Sequence, residues 1–566
     1  MDYRAEIAKL INIGAEYDAV LAALAVPAEE SMGDICLPCF KFSRELRAAP
    51  PAVAKAAFDA LPSPLPAFLA RAEAAGGYLN FYLDRRMFVQ NLLKAGAFAK
   101  HPANGKTVCI DYSSVNIAKP FHMGHLSTTA IGGSLCRIFA YLGYKVVGIN
   151  HLGDFGTQFG KLIAAYKRWG DEAEINTGKT RALSKIYARF HAEEEKDPAL
   201  TAEARAWSKR IDDGDPEAVR LFDWFKELTL AEVGKIYGRL GVAFDSYHGE
   251  SFFVPMVPNI VKELEDKGLL AESEGARVVD LAAHNMPPCL ILRADGVSLY
   301  ATRDLAAAQY RQTTYGFDKC LYVVAYQQNL HFQQVFKVLE LMGCGWVKDM
   351  AHVAFGMVSL EEGAMSTRAG NVVLLADVLD AAVAKAKEIM SAKSAELSDF
   401  NQIAEQVGTG AVVYTAVCNA RIKDIVFSLS KVLSFEGETG PYLQYTHARC
   451  CSVIAKAMSD HTQNSDSLSD SYDIGAIAND EAFSLAKELA DFEAAVADAA
   501  KLYEPCMVSK KLIAVAKAFN KFYIAHKIND PADPGGMAAK LALTALTRDV
   551  LAKGLELILL AAPQKM

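Results

Sequence analysis

Apolar positions along the chain repeat in two ways, at helical spacing and in short strand-like runs. Up to about residue 100, helical patterns surround a turn-rich middle and precede an alternating segment at 77–83 that predicts a strand. Turn-forming residues at 102–106 then mark the start of a new domain. The pattern therefore predicts a small N-terminal α+β domain over residues 1–100.

Short apolar runs with the composition of buried strands alternate with helical stretches from residue 101 to about 375. These runs are residues 107–112, 145–149, 278–281, 289–292 and 320–324. Strand and helix in alternation predict an α/β domain with a Rossmann-like, doubly wound parallel sheet. A charge-rich helical stretch at about 164–250 predicts a long insertion in the connectivity of that sheet.

After the predicted sheet, strand patterns fade and apolar residues recur at helical spacing to the end of the chain. This pattern predicts a helical linker and a C-terminal all-α bundle over residues 376–566. A polar stretch rich in Ser and Asp, residues 461–480, is predicted to be a loop within the bundle.

Composition narrows the class of protein. The 566 residues are 52% hydrophobic and 22% charged, which is typical of a soluble globular protein with several domains. The first residues lack the pattern of a signal peptide, and charges interrupt every apolar stretch, so we expect a cytoplasmic protein without a membrane partner. Cys36 and Cys39 have no second pair with which to complete a zinc site, and we expect buried thiols there. The net charge of −8 argues against nonspecific coating of nucleic acid but leaves room for a local basic groove.

The first candidate chemistry follows the first strand of the predicted sheet. That strand ends near Asp111, and a tight turn leads to a helix predicted to open at His122, Gly124 and His125. A helix N-terminus directs free N–H groups at an anion, and two histidines on one face can donate to phosphate oxygens. Lys119 adds a cation on the approach. Taken alone, the two histidines are equally well explained as a structural pair at the start of a helix.

A longer match decides between these interpretations. Residues 111–126, DYSSVNIAKPFHMGHL, resemble the first signature of the arginyl-tRNA synthetases, a class I aminoacyl-tRNA synthetase family, and HLGDFGTQFG at 151–160 resembles the segment that follows. AMSTRAGN at 364–371, after FGMV at 355–358, is similar to the family's version of the class I KMSKS loop. The resemblance implies catalysis by Lys119, His122, His125, Ser366 and Arg368, and ATP binding by His122, Gly124, His125, Met357, Met365 and Ser366. It also implies Mg²⁺ on the phosphates, without a dedicated protein metal site.

Two positions of the second loop depart from the family. Many relatives carry lysine where this chain has Ala364 and Ala369, so two cations that would meet the triphosphate are absent, whereas Arg368 remains. In the family, a lysine just before the histidine motif takes over part of this role. We therefore expect Lys119 to supply the missing positive charge.

An arginine ligand demands carboxylates, because a guanidinium is planar, permanently charged and carries five donors. Tyr300 and Asp304 lie four apart, on one face of a helix, and Asp111 ends its strand on the ligand side of the sheet. The resemblance implies that Asp111, Tyr300 and Asp304 bind the side chain and that Ser114, Asn116 and Gln328 hold the α-amino and carboxylate groups. For an isolated Asp304, an ion pair with Arg303 or Arg311 is the commoner arrangement.

Both ends of the chain resemble RNA-binding modules. Residues 33–40 and 76–81 look like the family's N-terminal domain, which approaches the outer corner of the tRNA, and residues 433–445 look like the start of its anticodon domain. Exposed aromatic side chains can stack on splayed bases, although aromatics at spacing three usually belong to a core. The resemblance implies tRNA contacts by Tyr442, Tyr445, Tyr523 and Met566.

The implied reaction is ATP-dependent activation of L-arginine, followed by transfer to the 3′ end of tRNA(Arg) by a monomer. Two other classes stay open. A different class I ligase or nucleotidylyltransferase would share the histidine motif, and a catalytically weak tRNA-binding relative would fit the alanines at 364 and 369.

Overall fold

The computed structural model of the chain describes residues 2–361, 373–391, 399–460 and 472–566. Its strands are β1 (Ile35–Pro38), β2 (Leu69–Ala75), β3 (Tyr78–Leu83), β4 (Thr107–Asp111), β5 (Lys145–Ile149), β6 (Leu270–Ser273), β7 (Ala276–Val279), β8 (Cys289–Leu292), β9 (Lys319–Tyr322), β10 (Met350–His352), β11 (Val358–Leu360) and β12 (Ile425–Phe427).

The α-helices are α1 (Tyr3–Leu10), α2 (Tyr17–Ala23), α3 (Pro50–Asp59), α4 (Arg85–Ala95), α5 (Gly124–Tyr141), α6 (Thr157–Trp169), α7 (Glu172–Glu194), α8 (Ala199–Asp212), α9 (Pro216–Leu240), α10 (Glu250–Phe253), α11 (Val257–Asp266), α12 (Tyr300–Tyr315), α13 (Asn329–Leu341), α14 (Leu375–Ser391), α15 (Phe400–Val417), α16 (Leu429–Val432), α17 (Gly440–Asp460), α18 (Asp480–Ala490), α19 (Phe492–Leu502), α20 (Cys506–Ala525) and α21 (Pro534–Leu557).

The N-terminal part is built on a three-stranded antiparallel sheet of order β1-β3-β2, against which α3 packs. Its central strand β3 confirms the strand predicted at 77–83, and Leu79 and Phe81 on it are fully buried. Strand β2 escaped prediction because its sequence, LARAEAA, consists of good helix formers. Pairing with β3 overrides that local preference.

The central sheet has four parallel strands in the order β10-β9-β4-β5, and β4 pairs on both sides, with β5 and β9. Val108, Cys109 and Ile110 of β4 are fully buried, as expected for a parallel strand covered on both faces. Asp111 is in register with the last residues of β5 and β9. Since parallel strands end at the same edge, Asp111 marks the edge at which ligands bind in such folds.

Two runs predicted for the parallel sheet belong elsewhere. β7 and β8 form a separate antiparallel sheet with β6, of order β6-β7-β8. Parallel pairing was the wrong prediction for them because parallel neighbours need a crossover of a dozen or more residues. The β6–β7 connection is only Glu274 and Gly275, with φ of 51° and 77°, values typical of a tight hairpin turn.

The predicted helical insertion is confirmed as α6 to α9. Its core includes the fully buried side chains of Phe190, Leu221 and Phe225. Strands β10, β11 and β12 were not predicted, since each has three residues and is too short for an alternating pattern.

The chain divides into two compact units. One comprises residues 1–99, 450–493 and 514–550, and the other comprises residues 100–449, 494–513 and 551–566. The predicted domain limits, 1–100, 101–375 and 376–566, stay predictions. Across the described ranges, no helix combines the length and apolar composition needed to cross a membrane.

Candidate active site

The chain leaves β4 through a strained backbone. Ser113, Ser114 and Ala118 are non-glycine residues with φ of 69°, 44° and 63°. Such conformations cost about 1–3 kcal/mol each and persist where neighbouring structure holds them. Here the backbone N–H of Ser113 donates to Thr128 Oγ1 at 2.9 Å, and that of Ala118 donates to Thr229 Oγ1 at 3.0 Å.

Thr128 also joins the histidine motif to the central sheet. Thr128 lies in α5, and its Oγ1 donates to the carbonyl of Val323, just beyond β9, at 2.7 Å. The start of α5 is thereby fixed at the carboxyl edge of the parallel strands, where the sequence places the nucleotide site.

Helix α5 begins at Gly124, two residues later than predicted, so His122 precedes the helix. The two imidazoles nevertheless lie together, with ring centroids 4.0 Å apart. The N–H of Gly124 donates to Nδ1 of His122 at 3.0 Å, and the N–H of His122 donates to Nδ1 of His125 at 3.2 Å. Because a backbone N–H can only donate, both Nδ1 atoms are acceptors and each neutral ring carries its proton on Nε2.

Both histidines are neutral at physiological pH. Burial, reinforced by the charge of Lys119, lowers the pKa of His122. Burial and the neighbouring His122 lower the pKa of His125 to about 3. The pair therefore offers two uncharged N–H donors. Neither imidazole carries a positive charge.

Gly124 and Lys119 have distinct places beside this pair. A Cβ at Gly124 would lie 2.8 Å from Cε1 of His122, so glycine lets that ring fold back over the helix start. Lys119 is exposed, and no ion-pair partner for it occurs within the described part of the chain. Its ammonium is thus available to an anion near His122.

The residues that follow 362–372 lie beside the histidine motif. The N–H of Met123 donates to the carbonyl of Val373, and the N–H of Leu375 donates to the carbonyl of Phe121, both at 3.1 Å. Met357 is 38% exposed and is anchored at the start of β11 through a hydrogen bond from its N–H to Asp424. The predicted site residues Met365, Ser366 and Arg368, with Ala364 and Ala369, lie outside the described residues.

Asp111 is already engaged on both oxygens. Its Oδ2 accepts from Arg311 Nη2 at 2.7 Å, and its Oδ1 accepts from Ser114 Oγ at 2.7 Å. The side chains of Asp111 and Arg311 are only 7% and 2% exposed. Burial by itself lowers the pKa of Arg311, but the Asp111 carboxylate outweighs it and raises the pKa well above the ordinary value.

Asp304 has a different set of neighbours. His331 Nε2 lies 2.6 Å from Oδ2, and His151 Nε2 lies 3.8 Å from Oδ1. Burial alone raises the pKa of Asp304, but the hydrogen bond and charge of His331 lower it below its ordinary value. Asp304 is therefore ionised at neutral pH.

The ion pair with Arg303 or Arg311, which is the commoner arrangement for an isolated Asp304, is absent. Arg303 pairs with Glu250 at 2.7 Å, and Arg311 pairs with Asp111. Tertiary structure, rather than position on α12, decides these partners.

The remaining predicted arginine contacts are open to solvent. Tyr300 begins α12, one turn before Asp304, and is 66% exposed, while Asn116 and Gln328 are also exposed. The sequence pattern gave no site role to His331 or His151, and it considered Arg311 only as a partner of Asp304, not of Asp111. His331 follows Gln328 by one turn, and that spacing was the available signal.

Of the predicted tRNA contacts, Tyr445 and Tyr523 are each 39% exposed, and Tyr442 and Met566 are half-buried. The guanidinium of Arg449 lies 4.8 Å from the ring of Tyr445. One face of α17 is exposed and the other is buried. Gln444 and His447 lie on the buried face and bind the backbone of the C-terminal segment. Gln444 donates to the carbonyl of Ala561 at 3.0 Å, and His447 Nδ1 lies 2.9 Å from that of Pro563.

Cys36 and Cys39 are buried, and burial raises the pKa of both thiols, that of Cys39 to about 11. Within residues that the structure describes, no group of three His, Cys, Asp or Glu side chains is arranged to hold a metal ion.

Comparison with known families agrees with this geometry. The family model described as "tRNA synthetases class I (R), catalytic domain" matches residues 88–429. With the parallel sheet and the histidine motif at its edge, this match defines a class I aminoacyl-tRNA synthetase. The models "Arginyl tRNA synthetase N terminal domain" and "DALR anticodon binding domain" match residues 2–83 and 443–566.

Relatives that match over their full length identify the family within this class. Curated proteins named arginine–tRNA ligase from Clostridium botulinum (strain Alaska E43 / Type E3) and Clostridium acetobutylicum are each 45% identical to this chain, over 574 and 566 residues, and the matches cover 100% and 99% of both chains. The solved structure of Thermus thermophilus arginyl-tRNA synthetase matches with a TM-score of 0.81 at 27% identity, over 96% of each chain. The chain belongs to the arginyl-tRNA synthetase family.

Proposed function

We propose that the chain catalyses ATP-dependent activation of L-arginine to arginyl-adenylate and then transfers the arginyl group to the 3′ end of tRNA(Arg) in translation. The strongest support for this proposal is that groups suited to both substrates lie near the same edge of the central sheet. Two neutral histidines follow β4, and their Nε2–H donors have no hydrogen-bond partner among the described residues. The ionised Asp304 lies on α12, which packs against β4. The histidines suit phosphate oxygens, and Asp304 suits a guanidinium.

In the first step, a carboxylate oxygen of arginine attacks the α-phosphorus of ATP, and the bond to the bridging oxygen breaks to release pyrophosphate. In the second, a hydroxyl of the terminal ribose of tRNA attacks the arginyl carbonyl, and AMP leaves. No side chain needs to become covalently attached, so catalysis consists of positioning and charge stabilisation. Nε2–H of His122 and of His125 would donate to phosphate oxygens. Mg²⁺ would be carried by the phosphates.

The arginine site would be formed by Asp111, Ser114, Asn116, Tyr300, Asp304 and Gln328. Both oxygens of Asp111 are engaged within the chain. We therefore propose that Asp111 forms a wall of the arginine pocket and that Asp304 makes the main charge contact with arginine. Tyr442, Tyr445, Tyr523 and Met566 would contact tRNA. The exposed ring of Tyr445 beside Arg449 supports base stacking there.

Lys119→Ala is expected to lower kcat for arginine activation about 100-fold, because a preorganised cation near the leaving pyrophosphate is lost. Arginine-dependent pyrophosphate exchange, with tRNA present, measures the effect. Lys262→Ala removes another exposed lysine of the same compact unit and serves as the control. Adding Ala364→Lys and Ala369→Lys to Lys119→Ala should restore much of the rate. An unchanged kcat in Lys119→Ala would place the charge elsewhere.

Charging of total tRNA with each of the twenty amino acids tests the function itself. Arginine alone should be esterified. Charging with a different amino acid would identify another class I ligase, and charging with none would identify a tRNA-binding relative. His125→Ala provides the inactive reference, since it removes one of the two phosphate-facing donors.

A further inference from the structure

Asp304 is held from one side only. Its Oδ2 accepts the hydrogen bond from His331 at 2.6 Å. Its Oδ1 has no hydrogen-bond partner in the described part of the chain, because His151 Nε2, at 3.8 Å, is too distant. The side chain is 23% exposed, so this oxygen remains open to a ligand.

His151 is kept away from that open oxygen. Arg311 Nη2 donates to Nδ1 of His151 at 3.4 Å, and since arginine can only donate, Nδ1 carries no proton. The ring also stacks on Phe253 with centroids 5.6 Å apart. These contacts fix the ring, so its Nε2–H cannot advance on Asp304 without breaking them.

Asp304, in contrast, is restrained mainly by His331. The terminal torsion of an aspartate is broad, so without the bond to Oδ2 the carboxylate can rotate. Rotation would bring an oxygen within reach of His151, and the oxygen meant for the ligand would then be occupied. His331 lies in the first turn of α13, three residues after Gln328, on an element that packs against α12.

We propose that His331 is a positioning residue for the amino-acid substrate: by holding Oδ2 of Asp304, it directs Oδ1 at the guanidinium of arginine. The start of α13 and the residue before it then serve both ends of the ligand: His331 acts through Asp304 at the side chain, and Gln328 acts at the α-amino and carboxylate groups. The inference rests on the proposed function, because it names the arginine end of that site.

His331→Leu removes the donor, whereas His331→Gln keeps an N–H donor near the position of Nε2. We expect His331→Leu to raise KM for arginine about 10- to 100-fold, because misplacing a binding group by about 1 Å has effects of this size. KM for ATP should stay within about twofold of its original value, since the phosphate site is separate. His331→Gln should recover most of the arginine affinity. Steady-state pyrophosphate exchange, with tRNA present, gives both KM values.

His526→Leu is the matched control, since His526 Nε2 also pairs with a carboxylate, that of Glu481, at 3.2 Å, in the other compact unit. It should leave KM for arginine unchanged. An unchanged KM for arginine in His331→Leu would overturn the proposal, as would equal rises in both KM values without recovery in His331→Gln, which would indicate a structural role. The unsubstituted chain is tested for arginine charging first. Failure there would refute the proposed function, a result distinct from either outcome for His331.

Discussion

Asp304→Asn is expected to lower kcat/KM for arginine about 1000-fold, equivalent to about 4 kcal/mol, by removing the charge that faces the guanidinium. The amide oxygen can still accept from His331 at the position of Oδ2. The amide nitrogen then replaces Oδ1, so that two sets of N–H donors oppose one another. The loss should fall mainly on KM for arginine, because an ionised partner is removed from ground state and transition state alike.

Citrulline separates charge from shape in this experiment. Its ureido group resembles the guanidinium but is neutral, so Asp304→Asn should weaken competition by citrulline far less than binding of arginine. Asp295→Asn, in an exposed pair with Arg293 at 3.0 Å, is the control and should not alter either value. A loss of less than about tenfold in kcat/KM for arginine would show that another group carries the charge contact.

The sequence could not predict that Asp304 and Asp111 have different partners. Both are aspartates next to a predicted ligand edge, and the motif match treats them alike. Their difference comes from Arg311, which lies seven residues beyond Asp304 on α12 and yet pairs with β4, and from His331, which belongs to a separate helix. Such partners are set by packing of distant segments, which spacing along the chain does not encode.

The fold shows the same division between local and distant causes. Periodicity located β4, β5 and β9 and the helices of the insertion, because each has an apolar pattern long enough to read. It assigned β7 and β8 to the wrong sheet, since a strand's composition does not reveal its partner. It missed β2, whose residues favour helix until β3 pairs with them.

The histidine motif was recognised by its match to the family, and the structure adds the protonation state of its two rings. Spacing alone suggested two imidazoles on one helical face that donate to phosphate oxygens. Burial lowers the pKa of both rings, and two backbone N–H groups occupy both Nδ1 atoms. We therefore expect the site to use neutral Nε2–H donors, with Lys119 supplying the positive charge in place of the lysines that many relatives carry at 364 and 369.

Asp111→Asn is expected to destabilise the fold by about 3–5 kcal/mol, because it leaves the guanidinium of Arg311 buried without a counter-ion. Arg311 is 2% exposed, and its Nε and Nη1 already lack hydrogen-bond partners within the described residues. Removing Oδ2 as a charged acceptor therefore leaves the cation without an ion-pair partner among the described residues, with His151 and the ring of Tyr322 nearby. Differential scanning calorimetry should show a lower Tm, and amide exchange should increase along β4 and α12.

Arg311→Met in the same chain provides the decisive comparison, because replacing both members of a buried ion pair by groups without charge removes the unpaired cation. The double variant Asp111→Asn, Arg311→Met should be more stable than Asp111→Asn alone. If Asp111 served only as a ligand for arginine, Asp111→Asn would weaken arginine binding without lowering Tm in the absence of substrate. A Tm equal to that of the unsubstituted chain would therefore contradict the anchoring role, whereas recovery in the double variant would assign Asp111 to the support of the pocket and leave the charge contact to Asp304.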